Sequence, residues 1–160
     1  MAKSSYNLSV TLDSLRNPTT TDLLAAKKRL ISFEDWPYDK NQANKCTSYA
    51  LAINGFKMTS NDEGAPSAMC ICCQKDLIWE PNDDAKAEHL RSSPNCALAL
   101  ILNGKTEADL TLRDSLTIVV MRENVIALKS VFEKDKDNVR KCNDYNNKLY
   151  KKALEQFNKK

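Results

Sequence analysis

Stepping alternately by threes and fours from Ile118, the chain meets Met121, Val125, Leu128, Phe132, Asp135, Val139, Cys142, Asn146, Leu149 and Ala153, and nine of these eleven positions are apolar. That spacing is the seam of a coiled-coil-like helix. Some 40 residues at about 1.5 Å each extend roughly 60 Å, more than a small domain can cover. Thr111 can cap the first turn and Asp114, three residues on, can answer it as in a capping box. The run LTIVVM (116 to 121) is apolar on every face, which predicts a stretch of that helix buried on several sides. A hairpin folding back on itself is the weaker reading, because neither Gly nor Pro occurs from Lys105 to Lys160 to make the turn. The seam is therefore expected to wait for partner helices.

Upstream the pattern is shorter and more broken. Thr19 to Phe33 reads as a helix carrying Leu23, Leu24, Ala26, Leu30 and Ile31 on helical spacing, stopped by DWPY. A second helix spans about Thr47 to Asn54 and ends at Gly55, where a residue without a Cβ can turn left-handed. The polar loop TSNDEGAPSA leads into a cysteine cluster. Residues 1 to about 18, rich in Ser, Thr and Asn, have little apolar content and are expected to be flexible. The layout is a flexible segment at 1–18, a globular domain at 19–100, a connecting segment at 101–116 and the long helix at 117–158.

Composition changes this picture little. At 160 residues the chain suits one domain plus an appended element, and a net charge of +3 does not single out a polyanion as partner. The first twenty residues lack the apolar stretch of a signal peptide, and no run reaches the ~18 apolar residues of a membrane span. A cytosolic or nuclear protein is expected, in which six cysteines are thiols or metal ligands rather than a disulfide framework.

The candidate chemistry is C-x2-C-x15-H-x6-C: Cys70, Cys73, His89 and Cys96. Two residues between cysteines let both thiolates face one ion, whereas the adjacent Cys72 and Cys73 project in different directions, so Cys72 is left out. His89 lies in DDAKAEHLR, a short helix opened by Asp83 or Asp84, and Pro94 turns the chain toward Cys96. Four protein ligands leave no open position, so the site reads as one structural zinc ion and not as a catalytic one. A Cys–His nucleophilic pair loses its base if His89 ligates the metal, and no enzyme activity is expected. A DNA-reading finger lacks its second histidine. Cys46, Cys72 and Cys142 read as small hydrophobes or exposed thiols.

RLISFEDWPY (29–38), ALAINGF (50–56), the ligand set and IWEPNDDAKAEH (78–89) together resemble a baculovirus inhibitor-of-apoptosis repeat, over about residues 25–100. A 13-residue loop between Phe56 and Cys70, and one repeat followed by a long helix, are similar to the mitotic branch of that family, as is EADLTLRDSL (107–116). The resemblance implies an α+β zinc domain, a three-stranded sheet with short helices, followed by one long C-terminal helix. It implies a non-enzymatic subunit of the chromosomal passenger complex whose long helix bundles with helices of inner centromere protein and a borealin-like protein. That complex brings an Aurora-type kinase to centromeres and the spindle midzone, for chromosome segregation and cytokinesis. The expected contacts with partners or a second copy are Leu112, Leu116, Met121, Val125, Leu128, Phe132, Val139 and Leu149, with 101–116 as a possible dimerisation segment.

The resemblance also implies a groove for the N-terminus of a phosphorylated histone tail. Leu77 and Trp79 would wall a pocket for the first side chain, Asp83 would take the free amine and Lys75 would face the phosphate, although from the residues alone Trp79 reads equally as a core ring and Asp83 equally as a cap for the His89 helix. The chain departs from the family in having one residue fewer between Leu77 and Trp79, so the second acidic contact falls on Ile78 or on nothing. Ser92 stands where a phosphate-holding histidine is expected, leaving that role to Arg91 or Lys75. Thr47 aligns with a mitotic phosphorylation site, but Ser48 follows it where the kinase requires proline. The alternative implied by the same groove is inhibition of apoptosis by binding caspases or their antagonists.

Overall fold

The structure is a computed structural model that describes residues 23–41 and 43–157. The flexible segment expected at 1–18, and the start of the helix expected from Thr19, lie outside the described residues.

Helix α1 is Ala26–Leu30, shorter at both described ends than the expected helix. Ala25 is extended, at φ −89° and ψ 121°, which breaks the helical run after Leu23 and Leu24. At the other end the Ser32 hydroxyl donates to the Arg29 carbonyl at 2.6 Å, a side-chain bond that competes with helix continuation. A 3-10 turn at Pro37–Lys40 follows, with Pro37 supplying the fixed φ that opens it. Helix α2, Ser48–Ile53, is capped by Thr47, whose Oγ1 accepts the Ala50 N–H at 3.1 Å. Gly55 then sits at φ +90°, and a Cβ there would lie 2.2 Å from Leu98 Cδ2, so both the turn and the close packing require glycine.

Strands β1 (Phe56–Ser60), β2 (Ser67–Cys70) and β3 (Asp76–Ile78) form an antiparallel sheet in sequence order. Phe56 pairs with Cys70, and Met58, Ala68 and Leu77 lie in one cross-strand row. Helix α3, Ala85–Ser92, and helix α4, Ala97–Gly104, complete the domain. The core is aromatic at its centre: Phe56 meets Trp79 edge-on with centroids 4.9 Å apart and touches His89 at 4.6 Å. Trp36 packs edge-on against Phe33 and Tyr38, and its indole N–H donates to the Cys46 carbonyl at 2.9 Å. Leu51, Ile71 and Leu98 fill the space between. This is the α+β architecture expected from the sequence.

Residues 101–116, expected as a connecting segment, hold instead the second half of α4, a 3-10 turn at Glu107–Asp109 and the start of the long helix. Helix α4 forms because ALALIL buries Leu98, Ala99 and Leu102 in the core. Helix α5 is Leu112–Phe157. Its expected capping box is present: Thr111 Oγ1 accepts the Asp114 N–H at 3.2 Å, and Asp114 accepts the Thr111 N–H at 2.9 Å. Lys105 at 2.7 Å, then Thr111, hold the Asp114 carboxyl down to about 2, so the cap stays ionised. Ile118 and Val119 are buried in the domain, as the all-round apolar run predicts. Residues 126–157 form a separate unit, and every described side chain from Ile126 to Lys152 is exposed. Among the described residues no helix is long and apolar enough to cross a membrane.

Candidate metal centre and the surface beside it

Strand β2 ends at Cys70, and the turn that follows is built to place sulfurs. The Cys70 N–H donates to the Lys75 carbonyl at 3.0 Å, and the Ile71 N–H reaches the Gly55 carbonyl at 3.0 Å. Gln74 adopts φ +55°, a conformation that costs a non-glycine residue roughly 1–2 kcal/mol. Its side-chain amide donates to the Ile71 carbonyl at 2.8 Å, which helps hold that turn. The turn leaves Cys73 facing Cys70, while the Cys72 N–H points at Cys70 Sγ from 3.3 Å. The Asp84 carboxylate caps α3, accepting from Lys86 and Ala87, and so sets the helix phase that turns His89 inward. Cys96 opens α4.

The four ligand atoms of Cys70, Cys73, His89 and Cys96 all lie within 4.8 Å of one another. Cys70 Sγ is 3.9 Å from Cys96 Sγ, and Cys73 Sγ is 3.8 Å from His89 Nε2. A tetrahedral ion with bonds of ~2.3 Å to sulfur has edges of about 3.8 Å, so these separations are those of a four-coordinate soft cation. The donor set of three thiols and an imidazole fits zinc. The electrostatics agree: hydrogen bonds with the Cys70, Cys72 and Cys73 thiols hold Cys96 far below the ordinary thiol range, whereas burial raises Cys70 far above it. Sulfurs this close cannot all be thiolates without a cation between them.

Cys72 lies beside this set but outside it: its Sγ faces the Ile118 carbonyl of α5 at 3.7 Å, and its hydrogen bond with Cys96 raises its own thiol. Two further contacts join the same region to α5. Arg122 Nη1 donates to the Ile71 carbonyl at 2.8 Å, and the Ala97 N–H lies 3.1 Å from Met121 Sδ. Met121, expected among the partner contacts, thus packs on the domain's own core, because α5 begins against the cysteine turn. Cys46 is buried, and burial pushes its thiol up to about 12. Cys142 is exposed.

The expected groove residues are placed unevenly. Lys75 is exposed, with Nζ donating to the Ser92 carbonyl at 3.1 Å, and Leu77 is half-buried. Asp83 does not cap α3; its Oδ2 accepts the Glu80 N–H at 2.8 Å and closes the turn after Trp79. Trp79 itself is 1% exposed, so the ring expected to wall a pocket is a core side chain, drawn in by Phe56. Its indole N–H, however, is buried with no hydrogen-bond acceptor among the described residues. Such a group costs about 1–3 kcal/mol until something accepts from it. Ile78, where the family's second acid is missing, is 69% exposed. The sequence did not single out Arg29, which is 2% exposed and donates to the Ala52 and Leu23 carbonyls and to Glu107.

A three-stranded sheet with short helices folded round a Cys3His cluster is the architecture of a BIR domain, and residues 29–100 match the family model described as "BIR: Inhibitor of Apoptosis domain". Residues 29–100 thus carry the BIR domain, and α5 lies C-terminal to them. It is similar to the "Chromosomal passenger complex protein bir-1" of Caenorhabditis elegans, at 33% identity over 67% of this chain and 64% of that protein. It is also similar to "Baculoviral IAP repeat-containing protein 5.1-A" of Xenopus laevis, at 36% identity over 56% of this chain and 54% of that protein. "Baculoviral IAP repeat-containing protein 5" of Mus musculus is 28% identical over 88% of this chain and 94% of the mouse protein. The alignments to the worm and frog proteins thus span a little over half to under two thirds of those relatives.

Proposed function

We propose that the chain is a survivin-like, non-enzymatic scaffold of a chromosomal passenger complex, with one zinc ion held by Cys70, Cys73, His89 and Cys96. The observation that carries this reading is the apolar seam of α5, exposed at Leu128, Phe132, Val139 and Leu149. An exposed apolar stripe of that length is a protein-binding surface. The names of the worm, frog and mouse relatives support the same reading. In it, helices of an inner centromere protein and a borealin-like protein cover the seam, with Leu112, Leu116 and Val125 continuing the contact. The complex carries an Aurora-type kinase to centromeres and the spindle midzone. Co-expression of the full chain with those two helical segments is expected to give a stoichiometric complex, and Phe132→Glu is expected to abolish it. Separate elution of the three wild-type chains would end the scaffold reading.

The domain's second task in this reading is to hold the free N-terminus of a histone tail. Asp83 keeps Oδ1 for the ammonium, and Leu77 and Ile78 meet the first side chain. Lys75, whose Nζ reaches the Ser92 carbonyl, and Arg91 in the last turn of α3 are the cations for a phosphate, since Ser92 offers only a hydroxyl, which itself donates to the His89 carbonyl at 3.3 Å. Calorimetric titration with an alanine-first histone-tail peptide is expected to give binding that N-terminal acetylation removes. Phosphorylation is expected to change the affinity less than acetylation does. Equal binding of the free and acetylated peptides would refute amine capture.

A further inference from the structure

The scaffold reading leaves open what kind of helix the seam accepts. The charge on either side of it answers. Between Ile126 and Lys152, eight Lys or Arg stand against four Asp or Glu. With 3.6 residues per turn, Leu128, Phe132, Val139 and Leu149 share one face of α5. Lys129 and Lys136 follow the seam residues Leu128 and Asp135 directly, the flanking position from which a side chain reaches across to a partner helix, and Lys152 holds the opposite flank. Neither flank carries a carboxylate between Ile126 and Lys152. Of the four acids, Asp137 and Asp144 lie opposite the seam, where Asp137 pairs with Lys141 at 2.7 Å, and Glu133 stands outside the flank and meets Lys136 from there at 3.6 Å. The fourth, Asp135, stands in the seam itself.

From this arrangement we infer that the seam selects a partner helix acidic along its flanks, with a single Lys or Arg in the layer facing Asp135, a selection that rests on the scaffold reading. Apolar layers alone supply attraction without choice of partner. The lysine flanks attract Glu or Asp on the partner and repel Lys or Arg, and the buried layer at Asp135 tolerates only a cation or a close hydrogen-bonding group opposite it. A second copy of this chain is a poor occupant. In a parallel, in-register pair Asp135 would meet Asp135, which sets two carboxylates in one layer of the seam. Nucleic acid, which the excess of positive charge could also attract, would leave Leu128, Phe132 and Val139 uncovered.

The test titrates the full chain with two synthetic amphipathic peptides of about four heptads. Both carry the same Leu and Ile core and one Lys set against Asp135, but one has Glu and the other Lys at its flanks. The Glu-flanked peptide is expected to bind at least about tenfold more tightly at low salt, with the margin shrinking as salt is added. Lys129→Glu/Lys136→Glu is expected to reverse the preference. Asp135→Leu is expected to bind a peptide with Leu in the facing layer more tightly than wild type does. Equal affinities, a preference for the Lys-flanked peptide, or displacement of the peptide by a short DNA duplex would overturn charge selection while leaving the scaffold reading in place. An efficient Cys142-dependent dimer formed by a short bismaleimide, and lost in Cys142→Ser, would assign the seam to a second copy. Failure of both peptides to bind would overturn the scaffold reading with it.

Discussion

Stripping the metal with a chelator, or replacing His89 with Ala, is expected to unfold the domain outright. The four ligands sit on different pieces of chain: Cys70 ends β2, Cys73 lies in the turn after it, His89 is on α3 and Cys96 opens α4. Cys70, His89 and Cys96 are each 2% exposed or less. Without the ion, three crowded sulfurs and an imidazole must be accommodated in the core with only one another as partners. Structural zinc supplies an apparent binding free energy of about 10–16 kcal/mol at neutral pH, and the net stability of a small domain is about 5–15 kcal/mol. Metal loss is therefore comparable to the whole stability, and not a perturbation of it. Trp36 and Trp79 are 2% and 1% exposed, so their fluorescence should move to that of solvated indole as the chelator takes one zinc per chain. Because Cys72 Sγ, Ile71 and Ala97 contact α5, the burial of Ile118 and Val119 is expected to be lost in the same step. A chelated chain that keeps a cooperative thermal transition close to that of the loaded protein would show that the cluster does not hold the fold.

What the sequence made legible were features carried by short spacings. The C-x2-C turn, the distance to His89 and Cys96, the Thr111–Asp114 box and the glycine at position 55 each depend on residues whose geometry is fixed within a few positions. The seam was legible for the same reason, since helical periodicity places its residues on one face wherever the helix lies. Features that depend on distant packing were not. Trp79 reads equally as a groove wall or a core ring, and Phe56, 23 positions earlier, decides for the core. Met121 reads as a contact for partners, but it packs against the domain's own core beside the buried Ile118. Helix α4 had no side-chain cap to announce it, and its apolar run forms because Gly55 lets Leu98 approach. Arg29 gives no local signal at all: its partners Ala52 and Glu107 lie 23 and 78 positions away.

Arg29 leads to the second large effect. Its guanidinium is 2% exposed, donating to the Ala52 carbonyl at 2.9 Å, the Leu23 carbonyl at 2.7 Å and Glu107 Oε2 at 3.1 Å. Burial lowers its pKa and Glu107 raises it, so the carboxylate offsets part of the desolvation that the cation suffers. Glu107 also accepts the Ala26 N–H with both oxygens, at 2.9 and 2.7 Å, and thereby ties the first turn of α1 to the 3-10 turn ahead of α5. Removing one partner of a buried pair costs about 3–5 kcal/mol, because the other charge stays behind unpaired. The Glu107 side chain is 34% exposed, so water screens part of that loss and Glu107→Ala is expected to cost about 2–3 kcal/mol. Arg29→Met removes the charge itself and leaves the Ala52 and Leu23 carbonyls without this donor. Combining Arg29→Met with Glu107→Gln should therefore destabilise the chain by less than the sum of the two single changes, since no buried charge is stranded and the amide that replaces the carboxylate can still accept from the Ala26 N–H. Urea unfolding midpoints of the four chains measure the difference. Strict additivity would mean that the two side chains act independently, and that α1 is tied to the segment before α5 by the Ala26 N–H and Glu107 alone.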